Sequence, residues 1–357
     1  MTDHDFDLSV IIPTLNEEQS IPRLLQDLAV QKKIIFEIIV VDGGSADLTL
    51  DHCSEFLDQK TVPTTLFKTR AGRGHQMNVG AKAACARNLL FLHADSAISD
   101  DLLLHNALKH LSEQRAARFP SEVAGHFRMR FKRKGSGNEK AYYFYESKTS
   151  LNRQECFNGD QGLMLAKTYF ESLGRFDESR HYMEDADIGS KLFVSGKLIT
   201  LPGTIGTSAR RFEVEGLQER QILNALMRNF FSSGFHEFFE RAEHAYHSQQ
   251  KTEKLQLKPF LELIHKTVLA RGFKSAFILW YKTGGYVANN AWQLAYALDC
   301  RSNYRNHMPQ GEGSVPRLAV YDKLIGPLLT SKPGSFLTAL ATLVWFYGLR
   351  LKLSLKK

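Results

Sequence analysis

The first hundred residues alternate between continuous apolar runs and segments with helical periodicity. Apolar runs at Leu8–Pro13, Phe36–Val41 and Leu89–His93 predict buried strands, and Thr64–Lys68 predicts a weaker one. The first intervening segment repeats apolar residues at the spacing of one helix face, as Ile21, Leu24, Leu25 and Leu28 do. Strand–helix–strand units with continuous apolar strands predict a parallel sheet that helices cover on both faces.

The pattern changes after residue 100. Val123–Phe131 alternates strictly between apolar and polar positions, which predicts a half-exposed strand. Asn158–Ala166 predicts another strand, and Asp185–Ser195 predicts a helix. Beyond Gly216 the pattern is mainly helical, with no strand signal of comparable strength. We therefore expect an α/β domain over residues 1–215 and a helical extension over residues 216–357.

Charge separates the same two regions. The chain has 46 Lys and Arg against 38 Asp and Glu, a net charge of +8. Residues 1–215 hold 27 basic and 29 acidic residues, and residues 216–357 hold 19 and 9, a net of +10. A basic segment indicates an anionic partner, either nucleic acid or a phospholipid surface, or simply a solvated basic region. The basic loop Lys132-Arg133-Lys134 could touch nucleic acid, but no aromatic-interleaved binding module accompanies it, so we expect no nucleic-acid partner.

The end of the chain carries an uncharged run of 17 residues, Pro333 to Leu349, which basic residues follow. That length lies at the lower edge for a spanning helix, so a short span, a helix lying in the membrane interface and a buried core helix all stay open. Trp345 and Tyr347 near the basic end favour membrane contact. The sequence predicts a membrane-contacting helix at 333–351 on an anionic surface.

Composition narrows the class of protein. Hydrophobic residues make up 43%, charged residues 24%, and the mean hydropathy is −0.28, which excludes a wholly disordered chain and a polytopic membrane protein. No signal peptide is evident in the acidic N-terminal residues. The four cysteines are far apart and form no CxxC pair, which is typical of reduced thiols in a cytoplasmic protein. They are Cys53, Cys85, Cys156 and Cys300.

Polar and small residues follow each of the four predicted strands. Since ligands of open α/β sheets bind at the carboxyl ends of the strands, these segments indicate a ligand site along one edge. Any one of them alone is explained by a turn or a helix cap. The segments are 13–18, 42–47, 70–74 and 93–96.

The order of these motifs resembles a known enzyme family. Pro13-Thr14-Leu15-Asn16-Glu17, Val40-Val41-Asp42-Gly43-Gly44-Ser45 and Leu92-His93-Ala94-Asp95 resemble the nucleotide-binding half of a family 2 glycosyltransferase with the GT-A fold. Gly159–Gly162, Gly174–Asp177 and Glu184-Asp185 resemble its acceptor-side half. The resemblance covers about residues 8–215. Gly-His-Gln-Met-Asn at 74–78 and Phe-Leu-His-Ala-Asp at 91–95 are most similar to a compact bacterial branch with a His-Ala-Asp metal motif.

The resemblance implies an activity and its partners. It implies inverting transfer of a sugar from a nucleotide-diphospho-sugar, with UDP the favoured nucleotide. The acceptor would be lipid-linked or an anionic glycan precursor of the cell envelope, and the enzyme would act at the cytoplasmic face of the membrane. A non-catalytic nucleotide-sugar-binding or scaffold protein on the same fold is the alternative, because His93 stands where the family carries an Asp.

Donor binding is implied for residues in several of these motifs. Arg70, Arg73, Arg210 and Arg211 suit phosphate oxygens, and Thr207–Arg211 falls where relatives carry a flexible loop that closes over the diphosphate. Asp42, expected at the base or ribose, could equally cap the following helix. The implied donor-binding residues are Pro13, Thr14, Asn16, Glu17, Asp42, Gly43, Arg70, Gly74, Asn78, Ala94, Asp160, Glu184, Arg210 and Arg211.

Metal binding and catalysis are implied for three residues. Asp95, with His93 as a second candidate, would hold the Mn²⁺ or Mg²⁺ that neutralises the leaving diphosphate. Inverting transfer needs one carboxylate to take the proton of the acceptor hydroxyl, and Asp185 is the candidate for this base. The alternative interpretation is that the Asp185 carboxylate only places a favourable negative charge at a helix N-terminus.

Overall fold

The computed structural model describes residues 6–117, 122–180, 182–247 and 254–355. The acidic residues before Phe6 and the last two lysines lie outside these ranges. The chain divides into two units: Met1–Lys132 with Tyr145–Ser208 form the first, and Arg133–Phe144 with Ala209–Lys357 form the second. This division lies close to the expected boundary at residues 215 and 216, but the sequence pattern did not predict that residues 133–144 join the second unit.

A seven-stranded mixed sheet forms the centre of the first unit. Its strands follow the order β3-β2-β1-β4-β6-β5-β7, and β4–β6 and β5–β6 are the antiparallel pairs. The parallel pairs join β1 to β2 and β4, β2 to β3, and β5 to β7. The strands are β1 (Leu8–Thr14), β2 (Phe36–Asp42), β3 (Thr64–Lys68), β4 (Asn88–Phe91), β5 (Val123–Lys132), β6 (Leu163–Ala166) and β7 (Lys197–Ser208).

Helices cover both faces of the sheet, as the sequence predicts. Along β1, Leu8, Val10 and Ile12 enter one apolar core and Ile11 enters the other, because alternate side chains of a strand point to opposite faces. The first core packs under α1, α2 and α4, and the second under α3, α6 and α7. The helices up to residue 195 are α1 (Ile21–Ala29), α2 (Thr49–Asp58), α3 (Arg73–Ala83), α4 (Leu103–Ala116), α5 (Glu139–Lys148), α6 (Lys167–Ser172) and α7 (Glu184–Ser195).

Three details of the predicted strands are wrong. β5 is not half-exposed: Val123–Phe127 is buried throughout, because β5 is an internal strand between β6 and β7. The strand expected at Asn158–Ala166 begins only at Leu163, because Asn158 caps a single 3₁₀ turn over Gly159–Gln161. β7 was missed, since Pro and Gly interrupt its sequence in a way that argues against a strand.

The second unit is helical, which confirms the prediction for the C-terminal region. Its apolar core contains Phe230, Phe238, Phe260 and Phe346. A five-residue π-helical turn, Tyr321–Ile325, joins α14 and α15. The helices are α8 (Arg210–Glu215), α9 (Leu217–Ser233), α10 (Glu237–His247), α11 (Lys258–Ala270), α12 (Gly272–Asn290), α13 (Trp292–Arg305), α14 (Pro316–Val320), α15 (Gly326–Leu329) and α16 (Lys332–Leu355).

Close backbone approach joins α12 to α16. A Cβ at Gly284 would lie 2.3 Å from the Ser335 carbonyl oxygen and 2.6 Å from the Ala339 nitrogen. The next residue, Gly285, has no atom within 4 Å of such a Cβ. The two glycines therefore make a matched pair for measuring this contact.

We expect Gly284→Ala to destabilise the second unit by about 2 kcal/mol, because the helices must separate to admit the methyl group. Gly285→Ala should instead stabilise it by about 0.5–1 kcal/mol through helix propensity. All three tryptophans lie in the second unit, so urea unfolding followed by their fluorescence reports on it. Equal effects of the two substitutions would contradict the packing described.

Candidate active site

The loops that follow β1 and β2 are joined through a buried carboxylate. Asp42 is fully buried and accepts hydrogen bonds from the Thr14 hydroxyl at 3.1 Å and from the Gly44 and Ser45 backbone N–H groups at 2.9 Å. The Ser45 hydroxyl donates to it as well. Asp42 thus organises its own loop, which is the capping role that the sequence left open, and its direct contact with a nucleoside stays a prediction.

Further hydrogen bonds hold the two loops side by side. The Asn16 N–H donates to the Ser45 hydroxyl at 2.9 Å, and the Asn16 side-chain oxygen accepts from the Ala46 N–H at 2.9 Å. The Glu17 N–H donates to the Thr49 hydroxyl at 2.7 Å. Asn16 has a positive φ of 55°, so its backbone turns sharply away from the strand. The structure brings these predicted donor-binding residues to one edge of the sheet.

Gln76 on α3 ties that helix to the same edge. Its side-chain nitrogen donates to the Thr14 and Val41 carbonyl oxygens, both at 2.8 Å. A Cβ at Gly43 would meet the Gln76 side chain at 3.0 Å, so a glycine leaves room for this contact. Pro13 lies beside Val41 in the β1–β2 pair. The sequence reasoning missed Gln76, although it lies within the 74–78 motif.

An ion pair joins the first residues of α3 and α7. Arg73 bonds to Glu184, whose side chain is only 2% exposed, whereas that of Arg73 is 40% exposed. Burial alone would lower the pKa of Arg73, but the carboxylates of Glu184, Asp185 and Asp160 raise it above its ordinary value. The guanidinium therefore stays charged and balances a group of three carboxylates.

The short turn before β6 brings the other predicted residues to Arg73. The His93 Nδ1 lies 2.7 Å from Asp160 Oδ1, and its Nε2 lies 3.2 Å from an Arg73 nitrogen. The Gly159 N–H donates to Asp185 Oδ2 at 2.9 Å. A Cβ at Gly159 would lie 2.7 Å from His93 Nε2, so only glycine fits against the imidazole. The structure thus unites His93, Asp160 and the adjacent pair Glu184-Asp185, which come from three separate parts of the sequence.

The Asp185 carboxylate is held at both oxygens. Besides the Gly159 contact, its Oδ1 accepts a hydrogen bond from the Ala186 N–H at 2.8 Å. A cavity of about 20 Å³, room for one water, opens beside it. Its walls are apolar except for four polar side chains, those of Arg73, His93, Glu184 and Asp185.

A buried network positions the turn from within the domain. The Gln161 side chain accepts from the Asn158 N–H at 2.9 Å and its nitrogen lies 3.0 Å from His126 Nδ1. His126 is 1% exposed, and burial lowers its pKa, which favours the neutral ring. Gln161 lies within the 159–162 motif, whereas His126 carries no sequence signal, because a polar residue in a strand pattern predicts exposure rather than a buried bond.

Asn78 and Arg70 meet at a second polar cluster. The Asn78 side chain donates to the Phe176 carbonyl oxygen at 2.9 Å and to Glu178 at 3.0 Å, and accepts from the Phe176 N–H at 3.1 Å. Arg70 and His75 lie 3.1 and 2.7 Å from Glu178. Hydrogen bonds from Asn78 and His75 lower the pKa of Glu178. Asn78 holds this cluster together, its contact with a donor stays a prediction, and sequence reasoning missed Glu178, two residues beyond Phe176.

The metal candidates have unequal surroundings. Asp95 is half-buried, and Ala94 beside it is buried. Both ring nitrogens of His93 already have protein partners, and metal binding by Asp95 or by His93 stays a prediction. Among the described residues, the Ser96 hydroxyl is buried without a partner, and no group of three or more His, Cys, Asp or Glu side chains could hold a metal. One carboxylate with substrate phosphate oxygens still suffices for Mg²⁺ or Mn²⁺.

The remaining predicted residues lie elsewhere. Gly74 is in the first turn of α3, where a Cβ would lie 3.7 Å from that of Glu184. Arg210 and Arg211 belong to the second unit, and both are exposed at the start of α8. The flexible loop expected at Thr207–Arg211 is instead the end of β7 followed by this helix. Whether either arginine contacts a donor stays a prediction.

Comparison with known families identifies the first unit. The model of "Glycosyl transferase family 2" matches residues 9–174. These residues are similar to the family 2 glycosyltransferases. The family expected from the motifs is thereby confirmed, whereas the His-Ala-Asp branch is not tested.

Relatives of the family 2 domain include a PGL/p-HBAD biosynthesis glycosyltransferase of Mycobacterium bovis, 28% identical over 194 residues, 54% of this chain and 72% of that protein. The poly(ribitol-phosphate) beta-N-acetylglucosaminyltransferase TarS of Staphylococcus aureus is 36% identical over 98 residues, 27% of this chain. That match spans only 17% of the length of TarS.

The solved structure of S. aureus TarS 1–349 in complex with UDP has a similar fold. Its TM-score is 0.50 at 19% identity, over 85% of this chain and 92% of that one. With the mixed sheet and its flanking helices, this confirms the expected GT-A fold and the helical C-terminal region.

We expect Arg73→Ala to destabilise the family 2 domain by about 3 kcal/mol, because it leaves the buried Glu184 without its cation. Arg70→Ala is the matched control: Arg70 is 59% exposed in its pair with Glu178, so its loss should cost less than about 1 kcal/mol. Adding Glu184→Gln to Arg73→Ala should recover part of the loss. Urea unfolding followed by circular dichroism gives these values, and equal losses for the two arginines would contradict the assignment.

Proposed function

We propose that this chain is an inverting glycosyltransferase that moves a sugar from a nucleotide-diphospho-sugar, with UDP as the nucleotide, to an acceptor hydroxyl. The observation that carries the proposal is the placement of Asp185 at the start of α7, beside a cavity and one residue from the Glu184–Arg73 pair. The structurally similar TarS binds UDP in its crystal structure, which supports the choice of nucleotide.

Asp185 acts as the general base in this proposal. Two backbone N–H groups orient its carboxylate, and the N-terminus of α7 favours its negative charge. An ionised, oriented carboxylate can accept the proton of the acceptor hydroxyl as the oxygen attacks the anomeric carbon. The bond to the diphosphate breaks at the opposite face of that carbon, so the configuration inverts.

Arginine side chains receive the negative charge of the leaving diphosphate. Arg73 presents a partly exposed guanidinium next to His93, and Arg70 lies on the preceding loop. Planar guanidinium groups match pairs of phosphate oxygens. We include Arg210 and Arg211 as further diphosphate contacts, on the motif resemblance alone. The residues at the ends of β1 and β2, including Asn16, would hold the nucleoside.

The proposal includes a divalent cation at Asp95. When bound, Mn²⁺ or Mg²⁺ would neutralise charge on the diphosphate. The half-buried carboxylate of Asp95 supplies the hard oxygen ligand that these cations prefer. His93 instead orients Asp160 and contacts Arg73, so we assign it no coordination bond.

We place the reaction at the cytoplasmic face of a membrane, with a lipid-linked or anionic glycan acceptor. The net charge of +10 over residues 216–357 supports an anionic surface. The acceptor named for TarS, poly(ribitol-phosphate), is an anionic polymer, which supports the same class of acceptor.

Nucleotide binding tests the donor site. Calorimetric titration with UDP, GDP and CDP, each with and without Mn²⁺, should give micromolar binding of UDP that Mn²⁺ strengthens. Asp95→Asn should abolish the effect of Mn²⁺ and keep the weaker metal-independent binding, while Asp51→Asn, an exposed carboxylate on α2, should change neither. Failure of all three nucleotides to bind under either condition would overturn the proposal in favour of a scaffold protein.

Substitution of the base tests catalysis. Asp185→Asn should lower the rate of UDP release from UDP-sugars by about a hundredfold or more in the presence of a lipid extract, with UDP binding retained. Asp187→Asn is the control, since Asp187 lies two residues on and pairs with Lys191 at 2.9 Å. Equal rate losses in both variants would contradict a catalytic role for Asp185.

A further inference from the structure

The last helix, α16, exposes its apolar side chains and buries small and polar ones. Its buried positions include Gly334, Ser335 and Ala339, with Phe346 as the one large side chain. A helix on the surface of a water-soluble protein normally turns its apolar face inward. The α16 stripe, as we call its exposed side, consists of Phe336, Leu337, Leu340, Val344, Trp345, Leu351 and Leu355.

Composition agrees with a membrane environment for this helix. Among the described residues, α16 is the one helix long and apolar enough to cross a bilayer, and only 11% of its apolar window is buried. A buried core helix, one of the three interpretations that the sequence left open for residues 333–351, is therefore wrong. A span and a helix lying in the interface remain to be distinguished.

The packing of α16 argues against a span. Along its length, one flank contacts α12 and α11: the Thr338 hydroxyl donates to the Gly284 carbonyl at 2.8 Å, and Phe346 packs on Trp280 with ring centroids 5.2 Å apart. Near the end of the helix, Arg350 forms an ion pair with Glu262 at 2.8 Å.

The partner helices are charged, so they would accompany α16 into the hydrocarbon only at a high cost. α12 carries Lys274 and Lys282, and α11 carries Glu262. A charged side chain at the bilayer centre is strongly unfavourable. Because one flank of α16 is packed against α11 and α12, only its other flank, the α16 stripe, can contact lipid.

Apolar side chains also stand exposed beside both ends of α16. The contacts of Gly284 and Trp280 show that α12 runs antiparallel to α16, so Phe273, 88% exposed, and Phe277 lie near its C-terminal end. A Cβ at Gly334 would lie 2.3 Å from the Leu328 carbonyl, which places the exposed Leu324 and Leu328 near its start.

The positive charge around the α16 stripe indicates which partner this surface binds. Residues 269–355 contain ten Lys and Arg against three Asp and Glu, and one of the three, Asp299, is buried in a pair with Arg317. Lys274, Lys323 and Lys352 are exposed among the apolar side chains. A second copy of this chain would bring equal positive charge, whereas anionic phospholipids complement it.

We propose that α16 lies in the plane of an anionic bilayer surface, with the α16 stripe inserted in the acyl layer and no segment of the helix crossing. This deepens the membrane location given under the proposed function and rests on it. Trp345 is at the middle of the helix, where an in-plane orientation places it at the interface that tryptophan prefers.

Vesicle binding tests the surface. The full chain should sediment with phosphatidylcholine–phosphatidylglycerol vesicles at least tenfold better than with phosphatidylcholine alone, and salt should weaken binding. The double variant Leu340→Glu/Val344→Glu, two exposed positions, should lose at least tenfold. Val194→Glu, a 90% exposed position on α7, is the matched control. Unchanged binding of the double variant, or a dimer in sedimentation velocity that this variant disperses, would overturn the proposal.

The depth of Trp345 separates the two orientations. Lipids brominated near the headgroup should quench its fluorescence more than lipids brominated near the chain ends, and Trp345→Phe should remove this difference. A spanning helix would remove or reverse this order, because the uncharged run 333–349 has its centre at residue 341 and would carry Trp345 to about 6 Å from the bilayer centre.

A nucleotide titration on the same samples separates this proposal from the glycosyltransferase proposal. UDP should bind the double variant as it binds the unaltered chain. Vesicle binding without binding of UDP, GDP or CDP would overturn the enzyme assignment alone, and UDP binding without vesicle binding would overturn the surface alone.

Discussion

One side-chain amide ties the first turn of α3 to the two strands whose ends carry the predicted donor loops. The Gln76 nitrogen donates both of its hydrogens, to the Thr14 and Val41 carbonyl oxygens at the ends of β1 and β2. Both residues are buried, and the Thr14 carbonyl oxygen also accepts the Gly43 N–H at 2.9 Å. The Gln76 bonds fix the first turn of α3 against the carboxyl edge of the sheet, and Arg73 begins that turn. Every contact of Arg73 with the carboxylates depends on this placement.

The carboxylates around Arg73 explain why a site forms there. Both faces of the sheet are covered, so polar groups collect at its edge. Glu184 is nearly buried and needs a cation, while Asp160 and Asp185 are more exposed. Arg73 balances them, and the Gly159 turn adds an N–H to Asp185. Arg73 therefore neutralises Glu184, while Asp185 is oriented beside the cavity. This arrangement suits proton transfer at Asp185.

The second unit is organised by the packing of apolar helices. Its core is made of aromatic and aliphatic side chains from α9, α10, α11 and α12, to which α16 adds Phe346. The small residues of α16 let its backbone approach α12 closely, and this turns its large apolar residues outward. The same contact that packs the helix therefore creates the apolar surface.

Sequence alone determined the α/β pattern, the family and the edge at which the site would form. Continuous apolar strands and helical periodicity reflect which side chains are buried locally, and the pattern of apolar positions shows this directly. The order of the short motifs is specific to family 2. Sequence could not find β7, because Pro202 and Gly203 interrupt its pattern and are accommodated at a bulge, where the register against β5 shifts between His126 and Arg128. Nor could it assign partners to His93, since Asp160 and Arg73 reach it only through folding. Hydropathy gave α16 its apolar length, but which flank is covered depends on Gly284, 50 residues away in the chain. Contacts between distant residues decide which side of a helix meets solvent and which polar groups pair, and no local pattern encodes them.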